Sequence, residues 1–283
     1  MIKSKKISTV IPTFNRKIFL KKAIQSCLDQ TVDHELIVCN HGSSDGTDEM
    51  IKQFEAKIKY IKRNKDFGPH FCWLDGIMES TGDYINLLYD DDWIEPKFIE
   101  ECVKYFDDSN VGFVFSAANV FDEENKKIIN TLHNKIIPNS GIYNISRYES
   151  YFLKYLISPT SIIMRKQDML DSIFLGNLPF TKYNYKGVGP DKLMLLMCML
   201  RYKKFGYVSE ALSVYRAHKT SITYDSSLNK NKRYAIRKAY EEINKYYYTL
   251  KYGKYFSYFQ NRYILYFQNK INLILNKFFN ILK

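Results

Sequence analysis

Ile7-Ser8-Thr9-Val10-Ile11-Pro12-Thr13-Phe14-Asn15-Arg16 starts as an apolar, β-rich run and ends as a polar cluster. Residues 7–11 read as a strand. Beyond them, Leu20, Ala23, Ile24, Cys27 and Leu28 recur at the spacing of a one-sided helix. Residues 36–39 form a second short apolar run, followed by the turn Asn40-His41-Gly42-Ser43-Ser44-Asp45-Gly46 and a helical face of Thr47, Met50, Ile51 and Phe54. Residues 59–61, a helix around 71–78 and the run 84–88 extend the alternation, which predicts a parallel sheet covered by helices on both faces. Strands and helices continue over 111–163, with a hairpin about 122–127, and a polar cluster at 187–192 precedes a helix over 193–200.

The chain has 283 residues, 46% hydrophobic and 25% charged, which excludes wholesale disorder and disulfide-stapled miniproteins. Its net charge of +12 is concentrated at one end. From Lys230 to Lys283 twelve Lys and Arg face only Glu241 and Glu242, leaving the body nearly neutral. Ten of the 24 tyrosines fall between Tyr234 and Tyr266, and the last stretch, 269–283, has asparagines at helical spacing between apolar residues. This extension, 223–283, reads either as an in-plane anchor on an anionic membrane surface or as a helix docked on the body or on a second subunit. Five scattered cysteines without a CxxC pair read as buried free thiols in a reducing compartment. The apolar stretch 7–12 is too short for an export signal, and no window reaches the length of a spanning helix. The expected location is the cytoplasm, peripheral to the inner or plasma membrane.

In open α/β sheets ligands bind at the carboxyl ends of the strands. The polar clusters fall there: Pro12, Thr13, Asn15 and Arg16 after the first strand, Asn40, His41 and Ser43 after the second, and Tyr89-Asp90-Asp91-Asp92-Trp93 after the fourth. Three consecutive aspartates repel one another unless solvated or neutralised, and hard oxygen ligands suit Mg²⁺ or Mn²⁺. The alternative is an acidic helix start before Ile94-Glu95-Pro96.

Taken in order, Val10–Arg16, Leu28-Asp29-Gln30-Thr31, Ile37–Thr47 and Gly82–Trp93 resemble the family-2 inverting glycosyltransferases of GT-A fold. The resemblance is strong over about 5–106. It continues more weakly through Ser158-Pro159-Thr160-Ser161, Gly189-Pro190-Asp191 and Tyr215-Arg216-Ala217-His218. It implies a GT-A domain over 1–222 with a helical extension, and transfer from a nucleotide diphospho-sugar, UDP-sugar favoured, to a glycan or lipid-linked acceptor. Asp91 would be the main metal carboxylate, with Asp92 and His218 as additional ligands, while Asp90 would face the ribose. Asp191 would be the general base, with Pro190 where a Glu is usual, and Arg216 would meet phosphate.

The chain departs from the family at Asn40-His41, where two aspartates are common, at Tyr89, and at Trp73, where many members carry Arg. Trp73 reads as helix packing, and Lys62, Arg63 or Lys65 could replace the missing cation. These departures leave a degenerate nucleotide-sugar-binding protein as the alternative. Nucleotidyl transfer is ranked low because no Gly-rich loop follows the first strand. Nucleic-acid binding leaves the aspartates unexplained.

Overall fold

Strand β1 (Ile7–Thr13) is buried along its whole length, as a strand covered on both faces must be. The computed structural model describes residues 5–135, 137–175, 189–219, 230–231 and 233–253. The chain divides into two units, 1–243 and 244–283. Residues 244–253, the described part of the second unit, are helical. The boundary expected after 222 and the amphipathic stretch 269–283 lie outside the described residues.

In the first unit β1 is followed by α1 (Lys17–Leu28), β2 (Glu35–His41), α2 (Thr47–Ile51), β3 (Lys59–Arg63), α3 (Pro69–Glu79), β4 (Tyr84–Leu87), β5 (Trp93–Ile94) and α4 (Phe98–Val103). Then come β6 (Val111–Asp122), β7 (Lys127–Leu132), β8 (Gly141–Asn144), α5 (Ile145–Lys154), β9 (Ile162–Arg165), α6 (Lys166–Ser172), α7 (Pro190–Arg201) and β10 (Lys204–Ala217). Among the described residues these strands form one sheet in the order β3-β2-β1-β4-β9-β6-β10-β5, with β7 on β6 and β8 on β10. β3, β2, β1 and β4 run parallel, as does β6 with β10, as the alternation predicts. β9 enters antiparallel between β4 and β6 and joins the two parallel parts. The hairpin lies where expected, with Asp122 paired to Lys127.

Helices cover both faces. Leu20, Ala23, Ile24 and Cys27 of α1 share a core with Ile7, Ile11, Leu36, Val38 and, from α4, Phe98 and Cys102. On the opposite face α3 comes so close that a Cβ on Gly76 would stand 2.7 Å from Cys39 Sγ, so the backbone approach requires glycine. A second, aromatic core joins β6, α5 and β10: Phe113 stacks on Phe205 at 5.6 Å and Phe152 meets Phe205 edge-on at 5.0 Å. All five cysteines are buried and free. Among the described residues no helix is long and apolar enough to cross a membrane.

Candidate active site

β1, β2 and β4 are parallel neighbours, so their carboxyl ends and the loops that follow lie side by side. β1 and β2 run two residues further than expected, to Thr13 and His41, which puts Asn40 and His41 inside the strand and buries them. Asn15 takes a left-handed backbone (φ 53°), which Asn tolerates, and this aims it across at the second loop. Its N–H donates to Ser43 Oγ (2.9 Å), and its Oδ1 accepts from the Ser44 N–H (2.7 Å). Gly42, at φ 79°, lets the loop after β3 close down: a Cβ there would stand 3.1 Å from the Lys65 nitrogen. Pro12 is buried in register with Cys39.

The three aspartates point to three different sets of partners. Asp90 accepts from Thr13 Oγ1 (2.8 Å) and Arg16 Nη1 (3.0 Å), while Asp91 Oδ2 meets Arg16 Nη1 (2.8 Å) and His218 Nε2 (3.0 Å). Asp92 is buried and accepts from Thr160 Oγ1 (2.7 Å) and the Arg216 N–H (3.0 Å). Burial pushes the Asp90 carboxyl up to about 6 against the pull of Arg16. Burial and then the charge of Asp91 push Asp92 well above the carboxylate range. Burial also works against the charge on Asp91, but His218 and Arg16 outweigh it and hold this one carboxyl below its ordinary value. The negative charge of the cluster therefore concentrates on Asp91.

Thr160 fixes this divergence, since its Oγ1 also accepts from the Tyr89 N–H at 3.3 Å. Thr160→Val would leave a buried carboxyl oxygen and a backbone donor without partners. It is expected to cost about 1–3 kcal/mol, read as a lower urea midpoint at unchanged m. An unchanged midpoint would show that Asp92 is held by other means.

Several expected ligands are engaged by the protein itself. Arg216 donates through Nε to the Asp91 carbonyl (2.8 Å), pairs with Glu123, and lies 4.9 Å from the ring centres of both Phe19 and Trp93. With its side chain 7% exposed it braces the aspartate loop. Asn40 spends its amide on Asp48 (3.0 Å) and Tyr60 (2.7 Å), and its oxygen on the Ser43 N–H (3.0 Å). His41 Nε2 faces Asp75 (3.1 Å), which also pairs with Arg63. Lys62 is drawn to Asp48 (2.7 Å), whereas Lys65 stands exposed beside the second loop. Trp73 is packing, as expected: it is 4% exposed, edge-on to His70 at 4.7 Å and stacked on Tyr89 at 6.0 Å.

Asp191 lies in the first turn of α7, whose cap is Gly189 at φ 116°, so it is not the capping residue. Its Oδ1 accepts from the Lys192 N–H (2.7 Å). Burial, only partly offset by that bond, pushes the carboxyl up to about 6, in the range suited to a base working near neutral pH. Its charge bears on the hydroxyl of Tyr89, beside the aspartates, so the base candidate and the acidic loop share one region.

Among the described residues no group of three or more His, Cys, Asp or Glu converges as a ready metal centre. The donors aimed together are Asp91 and His218. That pair fits an octahedral Mg²⁺ or Mn²⁺, which commonly takes one or two protein ligands and fills its sphere with water and substrate phosphate. Each oxygen of Asp92 accepts one bond from a protein donor. Sequence reasoning gave no individual role to Thr160, though it lies in the quoted stretch 158–161, or to Glu123; both act on residues far away along the chain.

The model of glycosyl transferase family 2 matches residues 8–174. The chain is 25% identical over 246 residues to the GalNAc(5)-diNAcBac-PP-undecaprenol β-1,3-glucosyltransferase of Campylobacter jejuni, covering 85% of this chain and 73% of that one. It is 24% identical over 231 residues to glycosyltransferase GlyA of Streptococcus pneumoniae, covering 79% of this chain and 32% of that one. It thus spans about a third of the pneumococcal protein and, at 19%, less of a Rickettsia bellii glycosyltransferase. Staphylococcus aureus TarS 1–349, solved with UDP-GlcNAc, superposes with a TM-score of 0.60 at 16% identity, over 76% of this chain and 60% of that one; this is a likeness of fold.

Proposed function

The chain belongs to glycosyl transferase family 2, and on that premise we propose that it is an inverting transferase moving a sugar from a nucleotide diphospho-sugar onto a hydroxyl of a surface-glycan or lipid-linked saccharide. The observation that carries this is a division of labour between acids. His218 and Arg16 hold Asp91 below its ordinary value at the strand ends, while burial raises Asp191 to about 6. A displacement at an anomeric carbon needs both, one centre for the leaving diphosphate and one for the attacking hydroxyl. Asp191 would take the proton of the acceptor hydroxyl as its oxygen attacks.

Asp91 and His218 would hold Mg²⁺ or Mn²⁺, which when bound supplies positive charge to the diphosphate. Arg16, at 2.8 Å from Asp91, adds a second cation on the same side. The TarS complexes with UDP and UDP-GlcNAc and the undecaprenol-linked substrate named for the Campylobacter relative support a uridine donor and a lipid-linked acceptor. A basic extension would hold the enzyme at the cytoplasmic leaflet where such acceptors lie. The departures from the family pattern at Asn40-His41 and at Pro190 leave a donor-binding protein without turnover as the second reading.

The test is thermal shift against UDP, GDP, CDP, dTDP and CMP, each with and without Mn²⁺. A ligand at ~100 times its Kd adds about 2.7 kcal/mol to the native state. One nucleoside diphosphate, UDP first, is expected to raise the melting temperature with Mn²⁺ present and to lose the effect in Asp91→Ala. No shift with any nucleotide would sink the proposal. A shift without sugar transfer would leave the binding protein.

A further inference from the structure

Helical residues 233–243 of the C-terminal extension belong to the first unit, and Ala239 and Ile243 are buried in it at 2% and 1% exposure. This segment therefore docks on the transferase domain. Between those two anchors stands Tyr240, half-buried, with the Lys192 ammonium 5.5 Å from its ring centre. Lys192 is itself buried and donates to the Leu153 carbonyl at 2.7 Å, so it fixes the ring from one side. Asp191, the neighbour of Lys192, acts electrostatically on the Tyr240 hydroxyl, and Tyr240 acts on Tyr89 in turn. Tyr89 stacks on Trp73, which meets His70. Tyr89 and Tyr240, from two separate parts of the chain, thus both feel the charge of the Asp191 carboxylate.

We propose that Tyr240 is part of the acceptor subsite, its ring and hydroxyl holding a saccharide acceptor against Asp191, so that the extension completes the active site. An aromatic ring presents an apolar face to the C–H face of a pyranose, and its hydroxyl offers one bond to a sugar oxygen. The cluster assigned above to the donor, Thr13, Arg16, Asp90 and Asp91, is bonded together without Tyr240. This inference rests on the reading of Asp191 as the base.

Full-length Tyr240→Ala and Tyr240→Phe are compared with wild type, with UDP-GlcNAc, UDP-glucose and UDP-galactose as donors and a panel of p-nitrophenyl glycosides as acceptors. For Tyr240→Ala the acceptor KM should rise about tenfold or more, while the donor KM and the UDP-induced thermal shift persist. Tyr240→Phe should recover most of the acceptor KM, because the ring remains. Parallel loss of donor and acceptor parameters would mark a merely structural role and overturn the proposal. So would an unchanged acceptor KM, or a wild type that saturates with no member of the panel. Asp191→Asn separates the two levels: if it still transfers, the base reading fails, whereas an inactive Asp191→Asn beside a normal Tyr240→Ala removes only this inference.

Discussion

Asp191→Asn should lower kcat by about 10²–10⁴ and at the same time make the protein more stable at pH 7. The loss follows from chemistry, because an amide of the same shape cannot accept the proton of the attacking hydroxyl. The gain follows from linkage. The Asp191 carboxyl sits at about 6 in the folded chain, above its ordinary range, so the folded state binds this proton more tightly than the unfolded state does. Its contribution to stability is fully present below about pH 4 and is lost as the pH rises through about 6. At neutral pH the ionised, buried carboxylate costs at most about 3 kcal/mol, which the neutral amide removes.

Wild-type activity should rise with pH to a plateau above about 6, and that limb should be absent from the residual rate of the Asn variant. A variant that is inactive but less stable at pH 7 would show that Asp191 is held by bonds the structure does not contain. A fully active variant would move the base elsewhere.

The parallel half of the sheet was legible because β1, β2 and β4 are short apolar runs, each closed by polar residues, and that pattern needs no partner to be read. Their ends were not legible. Pro12, Asn40 and His41 look like loop residues, yet β1 and β2 continue through them, since neighbouring strands and α3 bury the backbone whatever the side chain. β9 is four residues long and pairs antiparallel with β4 and β6, a placement set by contacts roughly 50 to 80 residues away along the chain. The acidic loop shows the same divide. That Asp90, Asp91 and Asp92 need neutralising follows from their adjacency, but which cation or hydroxyl serves each depends on Thr13 and Arg16 before them and on Thr160, Arg216 and His218 after them. That the charge of Arg216 suits a phosphate is visible in sequence; that Glu123 pairs with it and two aromatic rings flank it is not.

Arg16 should prove the residue on which the folded acidic loop depends most, and its effect should be conditional on pH and on metal. One nitrogen, Nη1, serves both Asp90 at 3.0 Å and Asp91 at 2.8 Å, and the side chain is only 31% exposed. Removing one partner of a buried pair costs about 3–5 kcal/mol, and the partial exposure of Arg16 brings the expectation for Arg16→Met to about 2–3 kcal/mol at pH 7.

The sign with pH is fixed by Asp91, which His218 and Arg16 hold below its ordinary value against the opposing effect of burial. Stability gained from such a group is present above the ordinary carboxylate range and is lost as the pH falls through the folded value. The Asp91 share of the Arg16→Met deficit should therefore persist down to about pH 4 and go only below it, whereas the share from Asp90, whose carboxyl burial raises to about 6, should shrink between about pH 7 and 4 as that charge is given up. Millimolar Mn²⁺ should restore more stability to the variant than to wild type, since the ion would replace the missing charge at Asp91. Urea melts at both pH values, with and without Mn²⁺, measure all of this. A deficit that ignores pH would reduce Arg16 to packing, and one that ignores Mn²⁺ would remove the divalent ion from Asp91.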